Sequence, residues 1–176
     1  MIQMKIFKRI ETPRLIIRPM KLKDLNSFLD FMLDKDSTRF LMFTDQQKTI
    51  TGATELFNFV INSYNSDDPI HSYSIVLKND TYIGSCGLSK IQDLNNVYEC
   101  YYSLLKNYTN HGYATEAMKS LIEYCFDHLE INEIRAYMHP DNPNSEAVAK
   151  RIGMNYDGIK RHPIFGNKGK KYFIKK

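Results

Sequence analysis

His111-Gly112-Tyr113-Ala114-Thr115-Glu116-Ala117 is a loop with small residues that continues directly into an amphipathic helix. From Ala114 onward, apolar residues recur at helical spacing, which predicts a helix with one buried face. These apolar positions are Ala117, Met118, Leu121, Ile122, Cys125, Phe126 and Leu129. The first turn of such a helix has unpaired backbone N–H groups and the positive end of the helix dipole. Because Gly112 and Ala114 carry little side chain, an anion such as a pyrophosphate can approach this backbone closely.

The residues before this loop have the composition of a strand. Residues 97–104 are rich in β-branched and aromatic side chains, and residues 105–111 connect them to the helix. The order of strand, loop, small residues and helix is the one that a phosphate-binding loop requires. Gly112 is the only glycine of the loop, and no Gly-Lys-Ser/Thr follows it. The pattern therefore argues against a dinucleotide-binding fold and against a nucleoside triphosphatase.

Three motifs in chain order resemble the GNAT superfamily of N-acetyltransferases, and within it the branch that acetylates ribosomal-protein N-termini. Glu11-Thr12-Pro13-Arg14-Leu15-Ile16-Ile17-Arg18-Pro19 is similar to the opening strand of the branch. In residues 108–117, the second half matches the acetyl-CoA pyrophosphate loop of the branch residue for residue. Asn142-x-x-Ser145-x-x-Val148, followed by Ile152-Gly153-Met154, resembles the block near the end of the domain.

The resemblance implies acetyl-CoA as co-substrate. The loop residues that would hold its pyrophosphate are Thr109, Asn110, His111, Gly112, Tyr113, Ala114 and Thr115. Main-chain N–H groups near Leu104 and Leu105 would polarise the thioester carbonyl, and Asn142 would either contact the cofactor or only cap a helix. The family usually has Arg or Gln where Thr109 stands, and a second glycine where Asn110 stands. We expect these departures to weaken binding without abolishing it, because main-chain N–H groups supply most of the grip.

Transfer of an acetyl group to an amine requires a base, because amines are protonated at neutral pH. Glu99 lies on the predicted strand beside the implied thioester position and matches an acidic position of the branch, so it is the candidate base, acting directly or through water. The alternative for Glu99 is a solvent-facing or ion-paired carboxylate. Many family members protonate the departing thiolate with a tyrosine, at a position that here is Ala149. Ser145 is the candidate substitute donor, or else only supports the first turn of a helix.

The coarse pattern predicts one N-acetyltransferase domain over residues 1–176, an α/β fold of the GNAT type. Its central sheet is expected to be mixed, mostly antiparallel and twisted, with six to seven strands flanked by about four helices. Predicted strands lie near 14–18, 72–78, 81–90, 97–104 and 133–138, with a last hairpin turning at 165–169, and predicted helices near 23–34, 48–65, from 114 onward and from 143 to a stop at Gly153. By the resemblance, strands 97–104 and 133–138 splay apart and hold the cofactor between them.

Composition is that of an ordinary globular protein, with 43% hydrophobic and 25% charged residues. There is no apolar run of membrane-spanning length and no signal-peptide pattern, so we expect a cytoplasmic protein. Cys86, Cys100 and Cys125 are expected to be small core residues. The five histidines lack the spacing of metal ligands, so no metal site is predicted. Residues 160–176 hold seven Lys or Arg and no acid. This charge indicates a solvated strand, a weak contact with an acidic partner, or attraction of the anionic cofactor itself.

These inferences predict an acetyl-CoA-dependent N-acetyltransferase that acts by direct transfer in a ternary complex. The α-amine of a protein or peptide is the expected acceptor, by fold-level analogy alone. Two alternatives stay open. One is an enzyme for a small amine, such as a polyamine, an aminoglycoside or an amino acid, and the other is a non-catalytic acyl-CoA-binding or ribosome-binding module. The sequence also leaves a homodimer open, and it places Tyr98, Tyr101, Tyr102 and Tyr108 as a cluster that could line an acceptor channel.

Overall fold

Eight β-strands and five α-helices form within Lys5 to Lys176, the range that the computed structural model describes. The strands are β1 (Ile10–Glu11), β2 (Leu15–Pro19), β3 (His71–Leu77), β4 (Tyr82–Lys90), β5 (Val97–Leu104), β6 (Glu133–Met138), β7 (Asn155–Arg161) and β8 (Lys168–Lys175). The helices are α1 (Leu25–Leu33), α2 (Lys35–Thr38), α3 (Ile50–Ser63), α4 (Tyr113–His128) and α5 (Pro143–Arg151). In the described range, no helix is both long and apolar enough to cross a membrane.

All eight strands belong to one sheet, in the order β1-β2-β3-β4-β5-β6-β8-β7. Neighbouring strands are antiparallel except β5 and β6, which are parallel. The predicted mixed, mostly antiparallel sheet is therefore confirmed, and each predicted strand and helix is present with its ends shifted by a few residues. Two elements were not predicted, β1 with two residues and α2 with four, because segments this short carry no periodic pattern.

Helices pack on both faces of the sheet. Side chains alternate along each strand, so a strand with successive apolar residues presents an apolar surface on both faces. On one face, Leu15 and Ile17 of β2 pack in a core with α4 and α5. On the other, Ile16 of β2 and Val76 of β3 pack in a second core with α1 and α3. The predicted buried positions of α4 are confirmed for Ala117, Met118, Leu121, Ile122 and Cys125, and the three cysteines are free and buried.

Strands β5 and β6 separate after a short paired stretch. Their register joins residues 97–99 to residues 133–135. Beyond Glu99, β5 continues along β4 as far as Leu104, while β6 continues along β8 as far as Met138. Residues 100–104 and 136–138 therefore border an opening in the middle of the sheet, which we call the gap. The predicted divergence of these two strands is confirmed.

Candidate functional site

A cavity of about 1140 Å³ extends from the start of α4, along the gap, to the side of the sheet that α1 and α3 cover. It brings together most of the residues that the sequence indicated. Those that line it are Glu99, Leu104, Thr109, Asn110, Gly112, Tyr113, Ala114, Thr115, Asn142 and Ser145. Two predicted residues of the described chain, Leu105 and His111, lie outside the lining. Of the tyrosine cluster, Tyr101 and Tyr102 line the cavity.

The loop before α4 has left-handed backbone at two positions. Gly112, the N-cap of α4, has φ of 78°, and Asn110 has φ of 63°. Asparagine tolerates this conformation better than most residues that carry a Cβ. The absence of a second glycine at position 110 therefore does not prevent this loop shape. Thr109 carries no charge, unlike the arginine that the family often has at this position. Its hydroxyl already donates to the Lys106 carbonyl oxygen over 2.8 Å.

Thr115 provides an observation that favours an anionic ligand at this loop. Thr115 lines the cavity at the first turn of α4, and its hydroxyl oxygen is buried without a hydrogen-bond partner among the described residues. A buried polar group without a partner costs about 1–3 kcal/mol. A phosphate oxygen would satisfy this hydroxyl together with the unpaired N–H groups of the helix end. The residues present thus fit a pyrophosphate.

The motif at residues 11–19 stabilises this loop through contacts with Glu116 and His111. The Glu116 carboxylate accepts hydrogen bonds from the Thr12 hydroxyl over 2.5 Å, from the Arg14 backbone N–H over 2.9 Å and from Arg14 Nε over 2.6 Å. Arg14 Nη1 also donates to the His111 carbonyl oxygen over 3.0 Å. Glu-Thr-x-Arg and Gly-x-Ala-x-Glu are therefore two halves of one interaction, which holds the start of α4 against the entry to β2.

Glu116→Gln is expected to destabilise the protein by about 1.5–3 kcal/mol at neutral pH, the range for hydrogen bonds to a charged group. Burial raises the pKa of Glu116, but the hydrogen bonds from Thr12 and Arg14 outweigh it and hold the pKa below the usual 4.5. A depressed pKa contributes stability that is complete above 4.5 and is lost as the pH falls through the folded-state value. The stability difference between the wild type and the variant should therefore shrink in acid. Urea denaturation across this pH range measures it, with the exposed Glu123→Gln as control.

The backbone of β5 presents alternate groups to the gap. In the antiparallel pairing with β4, the Leu105 N–H donates to the Ile83 carbonyl oxygen over 2.9 Å, and the Ile91 N–H donates to the Val97 carbonyl oxygen over 3.1 Å. Odd-numbered residues of β5 therefore bond to β4, and the N–H of Leu104 points to the opposite side, into the gap. The expectation for Leu105 is wrong, because the sheet already uses its N–H. Its side chain packs in the core beneath α1 and α3.

Glu99 lies where β5 leaves β6, and its carboxylate is held by a histidine. His162 Nε2 lies 3.0 Å from Glu99 Oε1 and 2.9 Å from Oε2. The exposed fraction of the side chain is 20% for Glu99 and 7% for His162. Burial raises the pKa of Glu99 above the usual 4.5, and the hydrogen bond from His162 partly opposes this effect. A carboxylate with a raised pKa is a stronger base than one with the usual pKa, so it is better suited to take a proton near neutral pH.

The hydrogen bonds of His162 define its tautomer. The backbone N–H groups of Ile164 and Phe165 both point at Nδ1, over 3.1 and 3.2 Å. An Nδ1 that accepts two hydrogen bonds carries no proton, so the proton of the neutral ring is on Nε2 and is donated to Glu99. The turn at residues 162–167, between β7 and β8, therefore fixes the ring that orients the carboxylate.

Ser145, Asn142 and Tyr102 meet at the first turn of α5. Asn142 caps the helix, because its Oδ1 accepts from the Ser145 backbone N–H over 3.1 Å. The Ser145 hydroxyl donates to the Tyr102 hydroxyl over 3.2 Å, and the Tyr102 hydroxyl donates to the Ser145 carbonyl oxygen over 2.8 Å. Ala149, one turn later, is fully buried in the core. Two hydroxyl groups therefore lie side by side in the cavity wall near the position of the missing tyrosine.

Two residues of this site, His162 and the hydroxyl of Tyr102, were not assigned these contacts from the sequence. His162 is 63 residues from Glu99, and its only local signal is its place in the turn before a basic strand. That strand, β8, is not a free tail. It lies between β6 and β7, and its Lys170 and Lys171 donate to Glu146 and Asp157 over 2.6 and 2.8 Å. At least these two positive charges are balanced within the protein.

The separated strands β5 and β6, the N-terminus of α4 and the partly buried Glu99 carboxylate all border one cavity. Residues 14–155 match the family model of the acetyltransferase (GNAT) domain. An uncharacterized N-acetyltransferase of Bacillus licheniformis is 30% identical over 154 residues, which cover 85% of this chain and 84% of that protein. The chain therefore belongs to the GNAT acetyltransferases and is an acetyl-CoA-dependent N-acetyltransferase.

Two solved structures share the fold and differ in acceptor. A ribosomal alpha-N-protein acetyltransferase in complex with coenzyme A has a TM-score of 0.79 at 15% identity, covering 96% of this chain and 98% of that chain. Spermidine N-acetyltransferase from Vibrio cholerae, in complex with CoA and spermine, has a TM-score of 0.77 at 17% identity, covering 93% of this chain and 96% of that chain. At these identities the similarity shows the fold alone.

Proposed function

We propose that this protein transfers the acetyl group of acetyl-CoA directly to the α-amine of a protein or peptide, with Glu99 as the general base. The observation that carries the proposal is the Glu99 carboxylate, which is oriented by a neutral histidine and lies in the cavity where the gap begins. The alpha-N-protein acetyltransferase with the same fold indicates that this scaffold can accept an α-amine, as the spermidine enzyme indicates for a polyamine. An α-amine also has a pKa of about 8, lower than that of lysine, so it is the easier amine to deprotonate.

Acetyl-CoA supplies the acetyl group as an activated thioester. Its pyrophosphate would be held by the left-handed loop at Asn110 and Gly112, by the N–H groups of the first turn of α4 and by the Thr115 hydroxyl. The Leu104 N–H points into the gap and would donate to the thioester carbonyl oxygen. Asn142 has its side-chain oxygen committed to the helix cap, so only its amide N–H group would reach the cofactor.

The transfer requires a protonated amine to give up two protons. The first passes to Glu99, which leaves a neutral amine whose lone pair attacks the thioester carbon. The second leaves the nitrogen to solvent as the new C–N bond forms and the C–S bond breaks. The departing sulfur takes one proton from a donor hydroxyl, which recovers a proton from solvent, so the reaction releases one proton net. Ser145 lies one helical turn before the position that many relatives fill with tyrosine and contacts the Tyr102 hydroxyl, and we assign Ser145 to deliver that proton. Glu99 returns its proton to solvent.

Two variants of His162 separate its contact with Glu99 from its role in the turn. His162→Asn keeps a side-chain oxygen for the Ile164 and Phe165 N–H groups but is too short to reach Glu99. His162→Gln extends an amide N–H to Glu99 but gives up the turn contact. Losing a hydrogen bond that favours the carboxylate raises the pKa of Glu99. As the pH is lowered, kcat/KM falls when Glu99 becomes protonated. We therefore expect this fall to occur about one pH unit higher in His162→Asn than in the wild type.

In His162→Gln the acid limb should stay near that of the wild type while the melting temperature falls. Steady-state rates measured from pH 5 upward, together with thermal denaturation of each variant, test this pair of expectations. If all three proteins share one pH profile, then His162 only supports the turn.

An amine panel tests the proposed function against the small-amine alternative. The purified protein is incubated with acetyl-CoA and, separately, with a short peptide that has a free α-amine, with the same peptide blocked at that amine, with spermidine and with an aminoglycoside. Release of CoA thiol is compared with formation of the acetylated product. The proposal predicts turnover with the free peptide and none with the blocked one. Preference for spermidine or the aminoglycoside would favour the alternative.

A further inference from the structure

We propose that the part of the cavity between β5 and the helices α1 and α3 is a pocket for an acceptor with one positive charge beside a large apolar side chain. The acceptor is then the α-amine of a peptide whose first residue is apolar. This inference rests on the proposed function, in which a peptide α-amine is the substrate, and it adds which peptides are accepted.

The candidate base faces this pocket. Along β5, Glu99, Tyr101 and Ser103 share one face of the sheet because side chains alternate. The Tyr101 hydroxyl hydrogen-bonds with Ser72 of β3, which lies on the same face as Val76, a residue of the core under α1 and α3. Tyr102 points to the other face, toward α5. The cavity therefore has the Ser145 hydroxyl on one side of the sheet and the Glu99 carboxylate on the other.

Apolar side chains form most of the walls of this pocket, beside a few polar ones from α2 and the segment that follows it. The apolar side chains come from α1, from α3 and from the segment between α2 and α3, and they are Phe28, Phe31, Leu41, Phe43, Leu56 and Val60. The side of the pocket formed by the sheet carries hydroxyl groups, and these hydroxyl groups already have hydrogen-bond partners. Tyr101 bonds with Ser72, and the Ser85 and Ser103 hydroxyls lie 3.2 Å apart. Because these hydroxyl groups have each other as partners, the pocket favours an apolar group over a polar one.

The charges around the cavity do not suit a polycation. Within residues 5–176, its lining contains two carboxylates, Asp36 and Glu99, and three basic side chains of Lys or Arg, which are Arg39, Lys106 and Arg151. Asp36 is exposed and already lies 3.8 Å from Lys106. Within the described residues, Glu99 is therefore the one carboxylate of the lining that is partly buried, enough for a single ammonium group. A second ammonium, as in spermidine, would find no second partly buried carboxylate in this lining.

Peptides that differ only in their first residue test the pocket. We expect kcat/KM for peptides beginning with Phe, Leu or Met to exceed that for the Ser peptide by about tenfold or more, since one methylene in an apolar pocket is worth about 10–200-fold. Spermidine should be poorer than any of the apolar peptides. Leu56→Gln places an amide in the wall and should reduce the Phe-to-Ser ratio, whereas Phe59→Gln, at an exposed position of the same helix that does not line the cavity, should leave it unchanged.

The outcomes separate this inference from the proposed function. Equal rates for the Phe and Ser peptides, with both acetylated, would overturn the apolar pocket and leave the α-amine acceptor in place. A Leu56→Gln variant that is folded and keeps the wild-type ratio would also overturn the pocket. No acetylation of any peptide would overturn the proposed function itself, and the pocket assignment with it.

Discussion

Glu99→Gln is expected to reduce acetyl transfer by about 10²–10⁴-fold, the usual contribution of a general base. Glutamine has nearly the shape of glutamate, and its carbonyl oxygen can still accept the hydrogen bond from His162 Nε2. The change therefore removes the ability to take a proton while it preserves the contact that orients the side chain. Binding of acetyl-CoA should stay within a few-fold of wild type, because the carboxylate lies beyond the loop that is proposed to hold the pyrophosphate.

Asp36→Asn is the matched control for this variant. Asp36 is the other carboxylate of the cavity lining within the described chain, and its side chain is 76% exposed. Its replacement should leave the rate near that of the wild type. Thiol release at saturating acetyl-CoA gives the rate, and calorimetric titration gives the dissociation constant. If the Glu99→Gln rate equals the wild-type rate, another group is the base and Glu99 is only a hydrogen-bond partner of His162.

Gly112→Glu is expected to weaken acetyl-CoA binding by about 100-fold or more, because like charges placed together cost several kcal/mol. Position 112 is the N-cap of α4, and its backbone is left-handed with φ of 78°. A side chain there is strained, and a carboxylate would occupy the end of the helix dipole that is proposed to receive the pyrophosphate. Calorimetric titration with acetyl-CoA measures the effect.

Gly158→Glu controls for backbone strain. Gly158 has φ of 86°, an added Cβ would meet nothing within 4 Å, and the residue does not line the cavity. The two variants thus add the same side chain at a similar backbone conformation, one at the loop and one on β7. We expect Gly158→Glu to lower stability without changing affinity. Equal affinities for Gly112→Glu and the wild type would place the pyrophosphate elsewhere.

The elements predicted from the sequence are those with a strong local pattern. The helical spacing from Ala114 predicted α4 and its buried face. The aromatic and β-branched run at 97–104 predicted β5 with the bounds that it has. The cap at Asn142, followed by proline, predicted the start of α5. In each case, propensity and hydrophobic pattern act over neighbouring residues, so the chain itself carries the signal.

Local patterns did not predict the contacts between residues that are far apart in the sequence. The His162 contact with Glu99 depends on how the β7–β8 turn folds over β5, and Tyr102 reaches Ser145 across the gap. The error at Leu105 has the same origin, since which N–H groups point into the gap depends on the register between β4 and β5. The link between Thr12, Arg14 and Glu116 was visible only as two separate motifs, although both belong to the family pattern.

The most direct test of the proposed function is to locate the acetyl group in the product. A peptide with a free α-amine on an apolar first residue and with one internal lysine is incubated with acetyl-CoA and the protein, and the product is sequenced by fragmentation mass spectrometry. We predict one acetyl group on the α-amine and one CoA thiol released for each. Acetylation of the lysine instead, or thiol release with no acetylated peptide, would contradict the assignment of this protein as an α-amine acetyltransferase.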